Sequence, residues 1–96
     1  MENKEALLAA FSLLDQTRMT VRDVRVLYAM RENPGMNGSD LREYLGLAFH
    51  SMVKNNIGKL IKAGLAYDTR DIEQQAIPRS CYITDRGKAF LEGIGI

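Results

Sequence analysis

Tryptophan is absent from this 96-residue chain, cysteine and histidine occur once each, and proline occurs twice. A lone Cys81 excludes an internal disulfide, and with a lone His50 it leaves too few soft ligands for a recognisable zinc site. A reducing, cytoplasmic compartment fits. No apolar run approaches the roughly 20 residues that cross a bilayer. The opening MENKEALLAAF carries Glu2 and Glu5 where a signal peptide would be positive. Membrane insertion and export are therefore not expected. Also missing are a nucleophile beside a base, a pair of carboxylates at working distance, and a glycine loop that could cradle phosphate. His50 has no partner nearby in sequence, and Cys81 reads as a small hydrophobe within a strand. The Gly93 to Ile96 tail has no following helix. No catalysis, cofactor or metal is expected.

The most informative absence is local. Net charge is only +1, from 13 basic and 12 acidic residues, yet no acid occurs between Glu43 and Asp68, where Lys54, Lys59 and Lys62 are the only charges. The same interval holds the stretch Phe49 to Leu65. Its apolar positions Val53, Ile57, Leu60, Ile61 and Gly64 recur at threes and fours and predict a helix with one inward face. The outward face carries His50, Ser51, Lys54, Asn55, Lys59 and Lys62. Such a surface suits phosphates and base edges, so the stretch reads as a DNA recognition helix. An asparagine can donate to and accept from adenine at once, which singles out Asn55 and Asn56, although amides are also common on exposed helix faces. The lysines suit phosphates better than bases. Phe49 and Met52 are read as packing in the turn before the helix, or, if exposed, as meeting a thymine methyl.

Around that helix the chain divides into short elements. Asn3 caps a helix from Lys4 to about Gln16, in which Leu7, Leu8, Phe11 and Leu14 form a stripe. This stripe either packs on the core or meets a second copy. Thr20 and Asp23 form a capping box that starts a helix to about Glu32, with Val24, Leu27 and Tyr28 inward and Arg22 and Arg25 outward. Asn33, Pro34 and Gly35 end it. After a short extended piece at Met36 to Gly38, Ser39 is read as capping a helix from Asp40 to Leu45, which Gly46 stops. Leu47 and Ala48 make a brief turn into the recognition helix. Extended spacing follows at Leu65 to Ile72 and again at Pro78 to Thr84, around a polar connection, Glu73 to Ile77. A last helix from Thr84 to Glu92 is read as burying Ala89, Phe90 and Leu91.

This order predicts an α+β, mainly helical fold in one domain, residues 1–96. It is a winged helix-turn-helix with a two- to three-stranded β-wing over 20–92 and an extra N-terminal helix at 1–17. The segments TVRDVRVL (20–27 with Leu27 last), GSDLREYLGL (38–47), IGKLIKAGL (57–65) and ITDRGKAFL (83–91) together resemble the MarR family of bacterial transcription regulators. The resemblance implies a sequence-specific DNA-binding dimer, usually a repressor, with the recognition helix in the major groove and the wing at the adjacent minor groove. On that footing double-stranded DNA is the partner, and the contacts are His50, Ser51, Lys54, Asn55 and Lys59. Arg70 and Arg79 join them from the base of a wing whose tip carries Gln74 and Gln75. The homodimer would form through Leu7, Leu8, Phe11 and Leu14. A competing reading is a winged helix used for protein contact, as an adaptor, a replication component or an inhibitor of a regulator, which the near-neutral charge suits. A third is a repressor that responds to a small-molecule effector, for which the sequence shows no pocket signature.

Overall fold

The structure, a computed structural model, describes residues 8, 12, 18–69 and 80–96 and, for His50 and Met52, the backbone only. Helix α1 spans Val21–Glu32, and its start is the expected capping box. The Thr20 hydroxyl accepts from the Asp23 N–H at 3.1 Å, and the Asp23 carboxylate accepts from the Thr20 N–H at 2.8 Å. Val24, Val26, Leu27, Ala29 and Met30 are buried. Tyr28 is not, contrary to the sequence reading. The buried arc centres on Leu27 and Met30, which leaves position 28 on its margin, where the ring lies 5.2 Å from the Arg31 guanidinium. Asn33 ends the helix, its N–H and its side-chain amide both donating to the Ala29 carbonyl. Gly35 then turns the chain at φ +89°.

Helix α2, Gly38–Leu45, starts two residues earlier than expected. Its cap is Asn37, whose Oδ1 accepts from the Asp40 N–H at 2.8 Å, and not Ser39. Gly46, at φ +70°, closes it. Helix α3 spans His50–Lys62, and turns Val53, Ile57 and Leu60 into the core beside Leu41 of α2 and Leu27 of α1. Leu47, not Phe49, packs the turn that leads into it: Phe49 is 68% exposed.

Strand β1, Ala66–Asp68, pairs antiparallel with β2, Cys81–Ile83, with Tyr67 opposite Tyr82. The two rings stack at 5.4 Å. On its other side, β2 exchanges two main-chain bonds at Cys81 with Gly35 and Met36, at the extended piece expected from the sequence. Helix α4, Asp85–Gly93, is capped by Thr84, whose hydroxyl accepts from the Gly87 N–H and donates to the Gly64 carbonyl. That clamp brings α4 onto the end of α3. A Cβ at Gly87 would sit 2.2 Å from the Leu65 carbonyl oxygen, so only glycine permits the approach. The inward line of α4 runs through Gly87 and Leu91, which puts Ala89 on the opposite side and corrects its expected burial; Phe90 is half-buried.

Most of the N-terminal stripe, Leu7, Phe11 and Leu14, lies outside the described residues, as do residues 70–79, on which the tip of the expected wing and both Arg70 and Arg79 fall. Leu8 is helical and 58% exposed. No helix among the described residues is long and apolar enough to cross a membrane.

Candidate nucleic-acid interface

Because Val53, Ile57 and Leu60 face inward, helical geometry turns Ser51, Lys54, Asn55, Gly58, Lys59 and Lys62 outward, and all six are exposed. The start of α3 differs from that of every other described helix. α1, α2 and α4 each open with a side-chain cap, from Thr20, Asn37 or Thr84, and an acid in the first turn, Asp23, Asp40 or Asp85. α3 opens at Phe49 with no side-chain cap and no acid. The positive end of its dipole and its first N–H groups therefore have no cap or first-turn acid to compensate them among the described residues, and the charges that follow along the helix are lysines.

One carboxylate fixes this helix in place. Asp23, 1% exposed, accepts from the Asn56 amide on one oxygen and from the Lys59 ammonium at 2.7 Å on the other. It still closes the capping box of α1. Lys59 also donates to the carbonyl of Arg18, a residue held at φ +60°. Burial works against ionisation of Asp23 most strongly of any single effect. The bonds from Lys59, the Thr20 N–H, Asn56 and the Thr20 hydroxyl together outweigh it and hold the carboxyl below its ordinary 3.8. One buried anion thus joins the cap of α1 to the middle of α3, and sets which residues of α3 face out. A groove of about 480 Å³ lies above it, lined by Thr20, Arg22, Asn55, Asn56 and Lys59 among others.

No family profile and no curated protein matches the sequence. Solved structures do match. A MarR-family transcriptional regulator from Rhodococcus sp. RHA1 aligns with a TM-score of 0.70 at 22% identity, over 96% of this chain and 64% of its own. The transcriptional repressor CouR, solved bound to a 23-mer DNA duplex, gives 0.71 at 20% identity over 97% of this chain and 64% of its own. The PcaV transcriptional regulator from Streptomyces coelicolor, solved with its natural ligand, gives 0.71 at 23% identity over 97% and 67%. The fold is that of a MarR-type winged helix. This chain spans about three-fifths to two-thirds of the length of those MarR-type chains.

Within the MarR-type fold the expected contacts separate into three groups. Ser51, Lys54 and Asn55 stand together on the open face of α3, exposed, with no hydrogen bond or ion pair to another described residue. Lys62, about two to three turns further on, is equally open. His50 opens the same helix, its side chain outside the description. Lys59 is different: its ammonium is already tied to Asp23 and Arg18, and 41% of the side chain remains exposed. Asn56, paired with Asn55 in the sequence reading, is likewise turned to Asp23 and belongs to the framework. Arg70 and Arg79 lie outside the described residues. The sequence reading missed Asp23 as the anchor of α3. The capping box marked its position, but nothing local shows that its carboxylate reaches a helix 33 to 36 residues away.

Proposed function

We propose that this chain is a non-enzymatic, MarR-type transcription regulator that binds double-stranded DNA with α3 in the major groove. The observation that carries the reading is the open face of α3: uncapped, free of acids, and bearing Ser51, Lys54, Asn55 and Lys62 without partners among the described residues. Lys54 and Lys62 neutralise phosphates, which gives affinity and register, while Asn55 reads a base edge. His50 and Ser51 contact the backbone near the uncapped helix start. Lys59 holds α3 to α1 and has one N–H left for a phosphate. Arg70 and Arg79 contribute from the base of the wing, and the tip, which has no cation, adds little. The MarR-type fold and the DNA-bound state of CouR support this reading.

The working form is a cytoplasmic homodimeric repressor, joined through the stripe Leu7, Leu8, Phe11 and Leu14. The exposure of Leu8 supports an apolar surface that awaits a partner. A surface cavity of about 590 Å³ lined by Met19, Ala63, Leu65, Arg86, Ala89 and Phe90, among others, is the place to look for an effector. Selection of duplexes from a random pool, followed by binding titrations on selected and scrambled DNA, tests the function. A selected duplex bound more tightly than its scrambled counterpart is expected. Equal binding of both, or none, favours a winged helix that contacts protein.

A further inference from the structure

We infer that Gly58 is the point where the sugar–phosphate backbone of the DNA lies directly against α3, and that its missing side chain lets the helix seat. The inference rests on the DNA-binding reading of α3 and adds to it a contact residue with no polar side chain. Glycine is the least favourable residue, proline aside, for a helix interior. At three other positions the fold demands it. Gly46 and Gly64 adopt φ of +70° and +79°, and a Cβ at Gly87 would collide with the Leu65 carbonyl. Gly58 has neither reason: its backbone is helical, it is exposed, and an added Cβ would meet no described residue within 4 Å. The fold gains from a side chain here, and the surface is where the glycine has its use.

The neighbours of Gly58 say what that surface meets. Seven residues after Ser51, three after Asn55 and four from both Lys54 and Lys62, it forms the floor of the exposed stripe, with a lysine about 6 Å along the axis on either side. Neither lysine has a partner among the described residues. A bare patch between two unpaired cations, on a helix face without an acid, complements a polyanionic strand that crosses the helix. Phosphates on either side of the crossing then reach Lys54 and Lys62. The N–H groups in mid-helix are already bonded within α3, so the contact at Gly58 is one of close packing, and any side chain would stand the helix off.

The test uses the full chain with Gly58→Ala and Gly58→Gln. Thermal unfolding should show Tm raised by a few degrees in Gly58→Ala and not lowered in Gly58→Gln. Binding should weaken in order of side-chain size, by about tenfold or more for Gln, and by similar factors on selected and scrambled duplexes, because the contact is with the backbone. Parent-like binding by Gly58→Gln overturns the inference, as does a loss confined to the selected duplex, which would put a base edge at this position. Lowered Tm in both variants would assign the glycine to the fold and overturn it too. A parent that binds no duplex removes the DNA reading itself, and is recognised before any variant is compared.

Discussion

Replacing Asp23 with alanine should cost far more than its place at a helix end suggests, because the carboxylate serves two helices at once. Loss of the reciprocal cap on α1 accounts for about 1 kcal/mol. The Asn56 amide, whose Oδ1 is already buried without a partner among the described residues, would lose the bond to its nitrogen as well, for roughly another 1 kcal/mol. The Lys59 ion pair adds only about 1 kcal/mol, since 41% of that side chain is exposed and its ammonium can rehydrate. Removing a desolvated charge returns part of this, so the net loss is about 2–3 kcal/mol. For a domain of this size that lowers Tm by roughly 10–20 °C. Urea and thermal unfolding followed by circular dichroism measure it. In a double-mutant cycle, Lys59→Met should couple to Asp23→Ala by about 1 kcal/mol. A loss below about 1 kcal/mol, or additivity of the two substitutions, would refute the view that Asp23 locks α3 to α1.

Three further outcomes follow from the same geometry. Gly87→Ala forces a carbon against the Leu65 carbonyl at the junction of α3, β1 and α4, so stability should fall by about 3 kcal/mol or more by urea unfolding. The folded pKa of Asp23 lies below the unfolded 3.8, so its contribution is complete above that value and is lost as pH falls through the folded one. Acid titration of Tm should therefore show a steeper decline below about pH 4 in the parent than in Asp23→Ala. Leu8→Glu with Phe11→Glu should yield a folded monomer with weaker DNA binding, read by light scattering; a monomeric parent, or an unchanged mass in the variant, contradicts the proposed dimer seam.

The elements legible in the sequence are those whose signals are local. The Thr20–Asp23 box, the Asn33-Pro34-Gly35 stop, Gly46, and the Val53, Ile57, Leu60 spacing each involve residues within a turn or two of one another, and each does in the fold what the spacing implies. The misread positions depend on contacts across the chain. Asn37 and Ser39 are both competent caps. What favours Asn37 is that Met36 is pinned to Cys81 of β2, which leaves the chain free to turn into a helix immediately afterwards. Tyr28 sits at the edge of an apolar arc, where periodicity cannot say which side of the boundary it takes, and Ala89 faces away from the line of Gly87 and Leu91, which an alanine tolerates as well as burial. Leu47 and Phe49 compete for one place in the turn, and the smaller aliphatic side chain occupies it. The candidate site was legible as a face, from the acid-free interval and the lysines. The division of that face into open residues, Lys54 and Asn55, and tethered ones, Asn56 and Lys59, was not, because it turns on a carboxylate from another helix.

The central claim is that the open face of α3 reads DNA, and the most direct measurement is a salt titration of duplex binding by fluorescence anisotropy for the parent, Lys54→Gln and Asn55→Ala. Lys54→Gln should weaken selected and scrambled duplexes alike and flatten the dependence of log affinity on log salt by about 0.9 for each phosphate contact removed. Asn55→Ala should leave that slope unchanged while costing about 1–3 kcal/mol on the selected duplex and much less on the scrambled one. Parent-like affinity and slope in both variants would contradict the account and move the binding surface away from α3.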